Sequence, residues 1–116
     1  MERVHIEDKG NMLIVDISRE MTMEIVDDLK KEFEDLFSRP WQVMALDLSG
    51  VAFMDSAGIG FVTALNNRSL QEGRKFCLLN PSEQVIKTLK LVNLWDLFAT
   101  YPSLEEISRS LNLEQN

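Results

Sequence analysis

Histidine and cysteine are almost missing from this sequence: His5 and Cys77 are the only two in 116 residues. One of each cannot build a Cys/His zinc site. A lone cysteine forms no intramolecular disulfide, which points to a reducing, cytoplasmic setting. Cys77 lies in the apolar run Phe76-Cys77-Leu78-Leu79 and reads as a small core residue. A Ser-His-Asp or Cys-His nucleophile would have to use His5, and nothing near Ser56 or Cys77 in sequence suggests such a partner. Basic residues are also scarce. Twelve Lys and Arg face 19 Asp and Glu, a net charge of −7. That charge repels nucleic-acid phosphates and anionic lipid, while basic protein surfaces remain attractive to it. No apolar stretch approaches the roughly 18 residues of a membrane span. Residues 1–10 are too polar for a signal peptide. The Walker phosphate-binding pattern is absent, and no cofactor is implied.

What is present is a steady supply of apolar residues, 45% of the chain, with no linker, repeat or low-complexity tract. This predicts one domain over residues 1–116, large enough to build a core without disulfides or metals. Residues 3–7 read as a short strand and residues 11–18 as a stronger one, with Lys9-Gly10-Asn11 as the turn of a hairpin. Residues 22–38 form a helix whose stripe is Ile25, Val26, Leu29, Phe33, Leu36 and Phe37. Thr22 is placed as its N-cap, Met21 and Val26 as a hydrophobic staple, and Pro40 as its stop. The acidic residues on its outer face read as a solvated surface. Residues 43–48 form a strand apolar on both faces, broken only by Asp47. A loop over 49–55 leads into a helix over 56–72, with Ile59, Val62 and Leu65 on one face and Gly73 as its end. Residues 75–79 are another buried strand. The next helix opens at Asn80-Pro81-Ser82-Glu83, with Asn80 as cap. Residues 97–100 form a last short strand. Pro102-Ser103 opens a final helix with a Ser103/Glu106 capping box and an apolar face of Leu104, Ile107 and Leu111. The order β-β-α-β-α-β-α-β-α predicts an α/β layer whose sheet is mainly parallel, made mixed by the opening hairpin.

The segment Asp55-Ser56-Ala57-Gly58-Ile59-Gly60 carries the most chemical information. It follows a buried strand and opens a helix, so Asp55 or Ser56 can accept a bond from an orphan N–H. A helix start is partly positive, and a phosphate on Ser56 is tolerated there at little cost to the fold. Glycine inside a helix costs about 1 kcal/mol relative to alanine, so Gly58 and Gly60 signal a need for room, for a partner or for packing. Gly58-Ile59-Gly60 is a poor dinucleotide fingerprint, because the third glycine would fall at Thr63. A response-regulator reading, with Asp47 or Asp55 as phosphoacceptor, lacks the acidic pair after the first strand and the later lysine that its chemistry needs.

Residues 47–60, Asp-Leu-Ser-Gly-Val-Ala-Phe-Met-Asp-Ser-Ala-Gly-Ile-Gly, resemble the signature of STAS domains of the anti-sigma factor antagonist type. Most members read Asp-Leu-Ser, a few residues, then Phe/Tyr-Met/Ile-Asp-Ser-Ser/Thr/Ala-Gly-Leu/Ile-Gly. The element order is similar over nearly the whole chain. The resemblance implies a mixed sheet with helices mainly on one side and a phosphoacceptor at Ser56. It implies a non-enzymatic switch with an anti-sigma factor bearing serine kinase activity as partner and a PP2C-type phosphatase to reset it. The unphosphorylated form would capture the anti-sigma factor and free the sigma factor. Asp55 would position Ser56, and Ala57, Gly58 and Gly60 would belong to the partner surface with Ser56. The loop before the first helix also touches the partner in the family, which adds Thr22. Here the sequence departs, reading Arg19-Glu20-Met21-Thr22 where many members have Gly-x-Leu/Ile-Asp. Position 57 is Ala where the best-known members have Ser. A STAS subunit of a lipid-transport complex and a stressosome-like scaffold are the alternative implied roles.

Overall fold

The computed structural model describes residues 4–115, and the side chains of residues 4–111. Its chain runs β1 (Val4–Asp8), β2 (Met12–Ile17), α1 (Met23–Phe37), β3 (Val43–Asp47), α2 (Ser56–Gln71), β4 (Lys75–Leu79), α3 (Glu83–Leu91), β5 (Ala99–Tyr101) and α4 (Leu104–Gln115). The expected α/β order is found. Arg3, placed in the first strand from sequence, lies outside the described residues. The strands form one sheet in the order β1-β2-β3-β4-β5. β1 pairs antiparallel to β2, and the three remaining pairings are parallel. The hairpin turns at Gly10, whose φ of +79° is natural to glycine, and Asp8 Oδ1 accepts its N–H at 2.9 Å.

Strand alternation sorts the apolar runs into two layers. Leu13, Val15, Ile17, Met44, Leu46, Phe76 and Leu78 face the larger core, which they share with α1, α2 and α3. Ile14, Ala45, Cys77 and Leu79 face the other side, where Ile107 of α4 is buried and Leu111 packs against them. Three helices therefore cover one face and one helix the other. The stripe read from sequence on α1, from Ile25 to Phe37, is buried. Burial pushes the Cys77 thiol up to about 12, so it stays protonated and unreactive at neutral pH.

Two element starts differ from the sequence reading. Asn80 is not a cap: it sits at φ +47° and donates its N–H to Tyr101 O at 2.8 Å, which ties it to β5. An N-cap needs extended backbone. Ser82 has it, and its Oγ accepts from Val85 N at 3.2 Å to start α3 at Glu83. The last strand is Ala99–Tyr101, because Trp95–Leu97 close into a single 3-10 turn that takes up Leu97. At α4, Ser103 Oγ accepts from Glu106 N at 3.3 Å, while Glu106 itself pairs with Arg109.

Leu46 is wholly buried on the central strand β3, between the helices and its neighbours Val15 and Leu78. Leu46→Ala should cost about 2–5 kcal/mol. Urea unfolding should report it as a lower midpoint with an unchanged slope.

Candidate functional site

The site forms at the C-terminal ends of β2 and β3, where two loops are zipped together. Asp47 Oδ1 accepts from Ser49 N at 2.9 Å and turns the chain out of β3. Leu48 and Val51 then plunge into the core, fixing the loop from below. Met54 pairs with Met21 in an isolated parallel bridge. Met21 N donates to Phe53 O at 2.9 Å, and Asp55 N donates to Met21 O at 3.1 Å. The starts of α1 and α2 are thereby brought side by side.

Asp55 joins them. Its Oδ1 accepts from Gly58 N at 3.0 Å, which caps α2. Its Oδ2 accepts from Met23 N at 3.0 Å, which satisfies an orphan donor at the start of α1. The Gly58 N–H first, and the Met23 N–H second, hold this carboxyl below the usual carboxylate range. Thr22 stands at the N-cap position of α1 with extended backbone, φ −118° and ψ 170°, but its side chain makes no capping bond. The expected side-chain capping by Thr22 is corrected here: Ile25 N bonds the Thr22 backbone carbonyl, and the first N–H of the helix, that of Met23, goes to a carboxylate from another loop.

With Asp55 as cap, Ser56 is the first residue of α2 and is exposed. Ala57 is half-buried and packs on the larger core. The two glycines differ. A Cβ on Gly58 would lie 2.2 Å from Met21 O, so its missing side chain makes room for the neighbouring loop. Gly58 is buried there, under the surface that the resemblance would have it share. Gly60 is exposed, and a Cβ on it would meet nothing within 4 Å. Two large apolar side chains that sequence reasoning missed stand beside Asp55. Met23, whose N–H it accepts, is 72% exposed, and Phe53, two residues upstream, is 52% exposed. Met23 was legible only as a residue just ahead of the α1 stripe, and Phe53 as an aromatic in a loop.

Other candidate chemistry is not assembled here. Asp47 and Asp55 spend carboxylate oxygens on backbone N–H groups, which argues against either as a nucleophile. His5 lies across the β1–β2 pairing from Asp16, on an exposed part of the sheet far along the chain from Ser56. Burial first, then the charge of Asp47, pushes the Asp16 carboxyl up, with His5 opposing. Among the described residues no cluster of His, Cys, Asp and Glu is placed to hold a metal ion, and no helix is long and apolar enough to cross a membrane.

Fold and site together define a mixed-sheet α/β domain that presents an exposed serine at the start of a helix beside a carboxylate bridging two loops. The family model described as STAS domain matches residues 3–107, and the chain belongs to that family. Solved structures share the fold. TM1081 of Thermotoga maritima superposes with a TM-score of 0.85 at 23% identity over 94% of each chain. An anti-sigma factor antagonist from Mycobacterium paratuberculosis gives 0.78 at 20% identity over 94% of this chain and 92% of its own. The anti-sigma factor antagonist SpoIIAA in its unphosphorylated form gives 0.77 at 20% identity over 94% of this chain and 96% of its own. The Bacillus cell fate determinant SpoIIAA in the phosphorylated form gives 0.70 at 19% identity, covering 92% and 98%.

Gly58→Ala forces Met21 and α2 apart and should cost about 1–3 kcal/mol or more. Gly60→Ala should stabilise by about 1 kcal/mol, as alanine in an open helical position does. Thermal unfolding of the two variants should move in opposite directions. For Asp55, a carboxyl held below its ordinary value of 3.8 contributes stability at higher pH and loses it as pH falls through the folded-state value. The melting-temperature gap between wild type and Asp55→Asn should be constant near neutrality and narrow as the pH is taken below 3.8.

Proposed function

We propose that this chain is an anti-sigma factor antagonist controlled by phosphorylation of Ser56. The observation that carries the reading is the division of labour at the start of α2: Asp55 caps the helix, and the exposed Ser56 is left outside the cap. A phosphate on Ser56 therefore leaves the capping bonds in place and adds about −1.5 to −2 charge to the surface. The positive start of α2 tolerates it within the fold. In a protein interface the same group must be desolvated and faces the Asp55 carboxylate. A tenfold loss of affinity needs only about 1.4 kcal/mol.

The unphosphorylated form binds an anti-sigma factor with serine kinase activity and releases the sigma factor. The kinase modifies Ser56 and dissociates, and a PP2C-type phosphatase restores the binding form. The protein acts in the cytoplasm as a binding module and catalyses nothing itself. Its contact face comprises Thr22, Asp55, Ser56, Ala57 and Gly60, with Gly58 supporting it from beneath. Met23 and Phe53 add the large apolar contacts that interface hot spots favour. Family membership and a fold shared with antagonists support this reading, as does the solution of SpoIIAA in both phosphorylated and unphosphorylated forms.

Incubation with the cognate kinase and ATP, followed by mass spectrometry, should give one phosphate on Ser56 and none on Ser56→Ala. Pull-down should capture the anti-sigma factor with unmodified protein and with Ser56→Ala, while Ser56→Glu should bind at least about tenfold more weakly. Phosphate at another residue, or capture indifferent to Ser56→Glu, would overturn the mechanism.

A further inference from the structure

The serine that caps α3 also holds the loop that leads to Ser56. The Ser82 hydroxyl donates to Val51 O at 2.5 Å, and its oxygen accepts from Val85 N at 3.2 Å. Its backbone N–H reaches the same loop and donates to Leu48 O at 3.3 Å. A hydroxyl has one proton and two lone pairs. The cap uses a lone pair, and the proton is spent on the loop. Capping alone asks only for an acceptor, which an aspartate supplies equally well. The donating half of this side chain therefore serves the loop and not the helix.

Among the described residues, Val51 O has no other donor. The buried Val51 side chain sets how deep the loop dips, but it leaves the peptide that follows free to turn. Because that peptide is planar, fixing Val51 C=O also fixes Ala52 N–H and the heading of the chain toward Phe53. The next tether is Phe53 O, which accepts from Met21 N at 2.9 Å. Ala52 and Phe53 lie exposed between these two bonds. Asp55 is held separately: its N–H goes to Met21 O, and its carboxylate accepts from Met23 N and Gly58 N.

We infer that Ser82 is a positioning residue: acting through Val51 O, it holds Phe53 in place for the partner's surface and takes no part in presenting the Ser56 hydroxyl. This rests on the reading of the chain as a phosphorylation-controlled antagonist, and it assigns partner contact and modification to differently anchored parts of one face. A loop released from Ser82 must be ordered anew at each binding event, which weakens association. The Asp55–Ser56 pair keeps its own bonds meanwhile. Loss of the Ser82 proton donor therefore lowers affinity for the kinase partner without slowing transfer to Ser56 in the complex.

The test compares three variants of the full chain as substrates of the cognate kinase. Ser82→Thr keeps both the cap and the donor, Ser82→Asp keeps the cap alone, and Ser82→Ala keeps neither. For Ser82→Asp and Ser82→Ala, KM and the Kd measured without ATP should rise about fivefold, equivalent to roughly 1 kcal/mol, the scale of one hydrogen bond. Their kcat should stay within about twofold of wild type, and Ser82→Thr should match wild type in both constants. Amide NMR of the free variants should show the Ala52 and Phe53 signals displaced in Ser82→Asp and Ser82→Ala, with that of Gly58 in place. A wild-type KM in Ser82→Asp would reduce Ser82 to a helix cap and overturn the proposal. So would unmoved Ala52 and Phe53 signals, a kcat that falls along with affinity, or failure of Ser82→Thr to restore binding. Wild-type protein left unmodified at Ser56 would instead overturn the reading beneath, and this proposal with it.

Discussion

The structure of the functional end rests on one carboxylate. Asp55 receives N–H groups from two different helices, Gly58 at the start of α2 and Met23 at the start of α1. Each helix arrives with unpaired donors and a partial positive charge, and two such ends side by side repel unless an anion lies between them. Asp55 supplies that anion from a loop held from below by Leu48 and Val51 and from the side by the Met21–Met54 bridge. The carboxyl is held below its ordinary range for the same reason: the N–H groups that need it also favour its charged form.

That arrangement frees the next residue. Serine at a helix start is commonly consumed as the cap, its oxygen turned toward the backbone. Here the capping is done one residue earlier, and Ser56 stands at the surface with no part in holding the helix. Gly58 completes the arrangement, because α2 can approach Met21 O so closely only without a side chain. Closeness of the two loops, capping by Asp55 and exposure of Ser56 are thus three aspects of one geometry, and a side chain at position 58 would disturb all of them.

The sequence disclosed the fold well where patterns are periodic. The α1 stripe could be read from spacing, the two-sided strands at Val43 to Leu46 and Phe76 to Leu79 from unbroken apolar runs, and the opening hairpin from turn chemistry at Lys9-Gly10-Asn11. It was misleading where a long-range bond decides the local structure. Thr22 has the right chemistry for a cap, yet its side chain accepts nothing: Ile25 N bonds its backbone carbonyl, and Met23 N is served by Asp55, 32 positions further on. Asn80-Pro81 has the composition of a helix start, yet a bond to Tyr101 holds Asn80 in a left-handed conformation and passes the cap to Ser82. Gly58 and Gly60 are alike in sequence, and only the position of Met21 separates a packing glycine from an open one. Asn66 gave no sign at all, since an asparagine in a helix looks like surface, and only the packing of α2 in the fold buries it.

The departure at Arg19-Glu20-Met21-Thr22 takes on a definite meaning in this geometry. The zipping between the loops uses backbone atoms of Met21 and Phe53, together with the buried Met21 and Met54 side chains. None of these contacts requires glycine or aspartate at the positions where many family members carry them. The missing loop aspartate is not needed to start α1, because Asp55 satisfies Met23 N from the other side. The loop is therefore free to vary in the side chains it displays, Arg19 and Glu20 among them, while the serine-bearing helix start keeps its form. On the proposed reading, the choice of partner and the action of the phosphate are separate properties of one surface. The first is written in exposed side chains of the 19–22 loop, and the second in backbone donors and a carboxylate that the loop's exposed side chains do not alter.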